Sequence, residues 1–162
     1  MIEFDVYLDS DGVICDFDLK SKQALGKTAS EFEVKGQFWA ALTEYDSTVE
    51  KFFLNLPKYE GADDLVNFCL NNFRSVKILT ASGFTPTDVK QQKLDYYARE
   101  YPGIECIVVN KSPDKAAYAS PTAILIDDRQ KSITPWVEAG GIGILHYDVE
   151  STIETLKQML TE

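Results

Sequence analysis

The stretch VYLDSDGVICDFD, Val6 to Asp18, decides how the rest of the chain is read. It opens as a strand, because Phe4, Val6 and Leu8 are apolar and Tyr7 is a good strand former. The apolar run stops at Asp9-Ser10-Asp11, Gly12 permits a tight turn, and Val13 and Ile14 return to the interior. Carboxylates are costly to bury, so two of them at a strand end mark a site. With one residue between them, both can lean over the same edge of a sheet. One can attack or bind a metal while the other moves protons. An ordinary turn is the plain alternative. A calcium loop would need oxygen ligands where Val13, Ile14 and Cys15 stand.

Past this stretch, residues 17–60 hold no convincing strand but three helical patches. Leu19 to Leu25 ends at Gly26, Ser30 to Leu42 carries Phe32, Phe38 and Trp39, and Ser47 to Leu54 is closed by Pro57. The segment is too long for a simple crossover and reads as a small helical cap insertion, rooted just past Asp11 and overhanging any site there. From Gly61 strand and helix alternate. Helices are expected over Ala62–Phe73, Thr87–Tyr101, Ile133–Ala139 and Ser151–Leu160, with another opened by Ser112-Pro113-Asp114. Strands are expected over Val76–Leu79, Ile104–Val109, Ala123–Ile126 and Gly143–Leu145. This order predicts an α/β, Rossmann-like fold: a parallel sheet of about five strands with helices on both faces, residues 1–162 forming one domain.

Open parallel sheets bind ligands at the carboxyl ends of their strands. Those ends carry Asp9 and Asp11, then Thr80-Ala81-Ser82, then Asp127-Asp128, and the third strand leads within a few residues to Lys115. A second acidic pair at the matching place takes most of the weight from the plain turn. Clustered carboxylates repel and need a cation, and an all-oxygen set favours Mg2+ over zinc. Magnesium, a lysine and a strand-end hydroxyl form a phosphate-binding set, and there is no Gly-x-x-x-x-Gly-Lys loop. The chemistry implied is phosphoryl transfer to one aspartate, a second aspartate serving the leaving group, and water to finish.

Composition narrows the partners. A chain of 162 residues with 44% hydrophobic content can bury a sizeable core. The formal charge of −10 argues against polymeric nucleic acid but not against a small anion whose charge is offset locally. No stretch is apolar enough to span a bilayer, so no membrane partner is expected, and the Met1–Asp5 segment is no signal peptide. Cys15, Cys69 and Cys106 read as reduced core residues of a cytoplasmic protein. A homo-oligomer is compatible with the sequence.

LDSDGV, ILTAS, Lys115 and LIDDR, each at a strand end and in this order, resemble the four motifs of the haloacid dehalogenase-like (HAD) phosphohydrolases. DGVICDFD, the Phe38-Trp39 pair, FFLNLPKYEGADDLV, Lys90 in KQQKLDYY, and Trp136 with Gly140-Gly141 extend the likeness towards the 5′(3′)-deoxyribonucleotidases, over most of the chain. The resemblance implies Asp9 as nucleophile and metal ligand. It implies Asp11 as general acid and base, lending its backbone carbonyl to the metal. Thr80 and the amide of Ala81 would hold the phosphate, Lys115 would offset its charge, and Lys90 is a second cation. The second acid of the pair, Asp128, would hold magnesium with Asp127 supporting it. Phe17, Phe38 and Trp39 would face a base. The implied substrate is a small phosphorylated metabolite, foremost a (deoxy)nucleoside monophosphate. Two departures stand out: Ser10 replaces a larger apolar residue, and Lys93 replaces an aromatic three residues after Lys90.

The same residues have blander readings. Phe17, Phe38 and Trp39 serve equally well as core of the insertion. Lys111 reads as surface, Arg129 as the partner of an acidic neighbour, and His146 as structural. Tyr96, Tyr97 and Tyr101 follow helical spacing and need no special role. Another HAD-type phosphatase substrate, a phospho-accepting receiver domain and a catalytically silent phosphate-binding protein are the alternatives. A receiver would carry its acceptor after a middle strand of the sequence and lack the insertion.

Overall fold

Val6 and Leu8 pack into one core with Val76, Ile78, Ile124 and Ile126, whereas Tyr7, Leu79, Ala123 and Leu125 pack into another. Alternate side chains of an extended strand point to opposite faces, so two cores separated by this alternation place a sheet between them. The computed structural model describes residues 3–83 and 88–162. Its strands are β1 (Asp5–Leu8), β2 (Ser75–Ala81), β3 (Cys106–Val109), β4 (Ala123–Asp127) and β5 (Ile142–Leu145). They form one parallel sheet in the order β3-β2-β1-β4-β5, which is the expected α/β, Rossmann-like architecture.

The helices in chain order are α1 (Phe17–Leu25), α2 (Lys35–Thr48), α3 (Ala62–Asn72), α4 (Val89–Glu100), α5 (Gln130–Glu138) and α6 (Val149–Thr161). Residues from α3, α4 and α6 join the larger core, and Ile133 and Trp136 of α5 fill the smaller one. Trp136 donates its indole N–H to the Ala123 carbonyl at 3.2 Å. Its ring lies so close to Gly141 that any side chain there would collide with it. Among the described residues no helix is long and apolar enough to cross a membrane.

The insertion differs from its expected three helices. The Ser30–Leu42 patch divides into a 3-10 turn, Ala29–Glu31, and the start of α2. A separate helix over Ser47–Leu54 does not form; α2 runs on to Thr48 and a 3-10 turn follows at Phe53–Asn55. The cause is Asp46, whose buried carboxylate accepts the Phe52 N–H at 2.8 Å and turns the chain out of helical register. The insertion is closed at its root, where Asp16 N–H donates to Pro57 at 2.8 Å and Tyr59 N–H to Ile14 at 2.9 Å. The expected helix after β3 is a 3-10 helix, Ser112–Tyr118, and the side chain of Asp114, not Ser112, caps it by accepting the Lys111 N–H. The first helical residue expected for α4, Thr87, lies outside the described residues. Helix α5 begins at Gln130, three residues ahead of its expected start and immediately behind the acidic pair.

Candidate active site

Register places the acidic residues. Leu8 pairs with Ile126 of β4 and Ile78 of β2, so the residue after each comes to the same rim. The Asp9 N–H continues the ladder to the Ile126 carbonyl at 3.0 Å, which sets Asp9 beside Asp127. The chain then folds over Ser10, whose carbonyl accepts the N–H groups of Val13, Ile14 and Cys15. That tight turn needs the left-handed backbone of Gly12, at φ 90°. The Asp128 carboxylate also lies against Gly12, and any side chain there would drive into it.

One carboxylate oxygen from each of Asp9, Asp127 and Asp128 falls within 4.8 Å of the other two. Lys115, only 2% exposed, reaches in from the 3-10 helix and donates to Asp9 Oδ1 at 2.9 Å and Asp127 Oδ2 at 2.7 Å. The second oxygen of Asp127 accepts the Arg129 N–H at 3.0 Å, so both of its oxygens are engaged. Asp128 is exposed and borders the cleft. Asp127 therefore holds Lys115 and the backbone, and the Asp128 carboxylate is the freer of the pair.

The electrostatics are those of a site short of positive charge. Burial pushes the Asp9 carboxyl up, Lys115 pulls it down, and Asp127 raises it again. Although Asp128 is exposed as a residue, its carboxyl is partly withdrawn from water against Gly12, and this first, then Asp9 and Asp127, pushes it up to about 7. Burial works against the Lys115 ammonium, but the two flanking carboxylates outweigh it and hold the lysine protonated. A hard divalent cation fits this donor set, which offers oxygen atoms with no His or Cys among them.

Beside this cluster sits a second buried cation that sequence reading overlooked. Lys93 of α4, also 2% exposed, donates to Asp11 Oδ2 and Thr80 Oγ1, both at 3.0 Å. Lys90, the expected cation of this helix, is exposed and makes neither contact. The reason is helical phase: Val89, Gln92, Lys93, Tyr96 and Tyr97 form the buried stripe of α4, and position 90 falls outside it. The other oxygen of Asp11, Oδ1, is buried and has no hydrogen-bond partner among the described residues.

The tyrosines of that stripe also have work the sequence did not disclose. Tyr97 donates to the Ser10 hydroxyl at 2.6 Å, and Tyr96 to the Leu56 carbonyl at 3.1 Å. Ser10 thus has its buried partner on α4. Removing the Tyr97 oxygen leaves the Ser10 hydroxyl buried and unpaired, at a cost of about 1–3 kcal/mol. Tyr97→Phe is expected to lose that much stability in chemical denaturation. Adding Ser10→Ala should recover part of it, because the two changes remove one interaction. Strictly additive losses would contradict this.

A cleft of about 1150 Å³ opens over these groups. Phe17, Phe38 and Trp39 all border it, together with Phe32 and Phe53. Phe38 is buried, while Phe17 and Trp39 are half-buried. The rings pack on one another, with Phe17 against Phe38 at 5.9 Å, Phe53 stacked on Phe17 at 5.9 Å, and Trp39 edge-on to Phe38 at 5.1 Å. They are core and cleft wall at once. The Lys93 ammonium stands 5.4 Å from the Phe53 ring centre, and Gln92 accepts the Phe53 N–H at 2.9 Å. Ala81 and Lys111 line the cleft as well. Arg129 forms no ion pair among the described residues. His146 is buried with its Nδ1 2.7 Å from Thr152 Oγ1. Cys15, Cys69 and Cys106 are free thiols.

No family model matches the chain, and no curated protein matches it in sequence. Solved structures match it along nearly its whole length. A hydrolase from Streptococcus pneumoniae TIGR4 is 18% identical, with 97% of this chain and 100% of that one covered and a TM-score of 0.63. A haloacid dehalogenase-like family hydrolase from Xanthomonas campestris is 13% identical over 99% of this chain and 93% of its own, with a TM-score of 0.67. The L-2-haloacid dehalogenase of Xanthobacter autotrophicus, solved with chloropropionic acid covalently bound, is 13% identical over 98% and 83%, with a TM-score of 0.54. At these identities the likeness is one of fold. The chain has the fold of the haloacid dehalogenase-like hydrolases.

Proposed function

We propose that the chain is a magnesium-dependent phosphomonoesterase that works through an aspartyl-phosphate on Asp9 and takes (deoxy)nucleoside monophosphates. The observation that carries this reading is the unpartnered Asp11 Oδ1, buried two residues from Asp9. Halide leaves carbon without needing a proton, so a dehalogenase has no use for an acid at that place. The alkoxide of a phosphate ester is a far poorer leaving group and requires one. The acidic cluster supports the same choice, since its oxygen donors suit the divalent cation that phosphoryl transfer uses.

The residues divide the work. Asp9 Oδ1 is held by Lys115, which fixes the carboxylate and leaves its other oxygen to attack phosphorus. Thr80, with the Ala81 amide beyond it, cradles the phosphoryl oxygens, and Lys93 and Lys115 offset their charge. Asp11, steered by Lys93, gives its proton to the departing oxygen. It then takes one from the water that cleaves the acyl phosphate. Asp9, Asp128 and the backbone carbonyl of Asp11 would hold Mg2+, which when bound neutralises charge on the transferring group. Asp127 acts through Lys115.

Magnesium should also stabilise the fold, because it binds the native cluster and not the unfolded chain. At a hundredfold excess over Kd the gain is about 2.7 kcal/mol. Thermal melts are expected to rise with added magnesium, and Asp128→Asn should abolish the rise while melting above the metal-free native chain. An equal rise in both proteins would remove Asp128 from the ligand set.

The aromatic cleft wall is what favours a nucleotide, because stacking of a base is worth about 1–3 kcal/mol. Trp39→Ala is accordingly expected to raise KM for a nucleotide about fivefold or more with kcat retained. The function itself is tested by phosphate release from a panel of esters with magnesium. Nucleoside monophosphates should exceed sugar phosphates by roughly tenfold in kcat/KM. Halide release from a 2-haloacid, with no phosphate from any ester, would overturn the reading.

A further inference from the structure

The cleft has two unlike walls. The aromatic side chains of the insertion form one and belong to the larger core. The other belongs to the opposite face of the sheet, where the 3-10 helix after β3 packs against α5. This second wall carries Lys111, Arg129 and Lys131, all exposed. None of the three forms an ion pair among the described residues. That is unusual in a chain of net charge −10, where acidic partners are plentiful. Ser132 borders the cleft on the same wall; it is 1% exposed, and its hydroxyl is buried without a hydrogen-bond partner among the described residues. A buried hydroxyl with no partner is a donor waiting for an acceptor.

Neither the three cations nor Ser132 is needed to bind the phosphoryl group that leaves, since Lys93, Lys115 and Thr80 already surround its place. We propose that this wall is a subsite for a second anionic group on the substrate, so that the preferred ligand is a nucleoside bisphosphate and not a monophosphate. The inference rests on the phosphatase reading of the site and extends it. The scissile phosphate sits over Asp9, the base lies on the aromatic wall, and the second phosphate meets Lys111, Arg129, Lys131 and the Ser132 hydroxyl. Charge-assisted hydrogen bonds of this kind are the stronger ones, and those at an exposed wall weaken with salt.

Binding is measured by titration calorimetry in the Asp11→Asn protein with magnesium, which keeps the metal carboxylates but lacks the acid. Thymidine 3′,5′-bisphosphate and thymidine 5′-monophosphate are compared, with and without Lys111→Gln and Lys131→Gln. The bisphosphate should bind about tenfold or more tightly at low salt. The lysine pair should reduce that preference to threefold or less, and added salt should shrink it as well. Equal affinities, or a preference untouched by the lysine substitutions, would overturn the second-anion subsite and leave the phosphatase reading standing. If neither ligand binds and the native enzyme releases no phosphate from an aryl ester, the phosphatase reading fails and the subsite falls with it.

Discussion

Asp9→Asn is expected to lower phosphate-ester turnover by at least ~10³-fold while the protein stays folded. The substitution keeps the shape and one hydrogen-bond acceptor for Lys115 but removes the charge that the proposed mechanism directs at phosphorus. It also takes one carboxylate from a cluster of three that lie within 4.8 Å, so repulsion falls as the Lys115 ion pair is lost. The two effects oppose one another, and the melting temperature should move by only a few degrees. Circular dichroism and steady-state kinetics on the same preparation check both halves. Turnover near the native rate in a folded variant would remove Asp9 as nucleophile.

Lys115→Met should damage stability as well as activity. The methionine keeps the length of the side chain but leaves Asp9, 6% exposed, and Asp127, fully buried, facing each other with no cation between them. Breaking a buried pair by removing one partner costs about 3–5 kcal/mol. Equilibrium denaturation should show a loss of that size, and adding Asp127→Asn should restore part of it. Activity should fall about 10²-fold or more and remain low in the double variant, because charge on the transferring phosphoryl group is no longer offset. A Lys115→Met protein as stable as the native chain would contradict the ion-pair geometry.

The residues most legible in the sequence are those whose chemistry conflicts with burial. Asp9, Asp11, Asp127 and Asp128 were visible because carboxylates interrupt apolar strands, and the strand–helix alternation then put both pairs on one rim. Lys115 was legible from its place after the third strand. Lys93 was not, because a lysine in a helix is ordinarily assigned to solvent. Its phase was nevertheless visible, since Val89, Tyr96 and Tyr97 mark a stripe that includes position 93 and omits 90. Tyr97 and Ser10 escaped notice for a different reason. Their contact joins residues 87 positions apart and depends on how α4 seats on the turn after β1. The insertion divides differently from its sequence pattern because Asp46, which falls between two expected helical patches and carries no signal of its own, is buried and redirects the backbone after α2.

A covalent phosphoryl intermediate on Asp9 can be trapped chemically. The protein is mixed with magnesium and an aryl phosphate, quenched in acid during turnover and treated with borohydride, which reduces an acyl phosphate to the alcohol. Peptide mass spectrometry should find homoserine at position 9, dependent on substrate and magnesium and absent from Asp9→Asn. Phosphate release with Asp9 unmodified, or homoserine at another aspartate, would rule out Asp9 as the nucleophile.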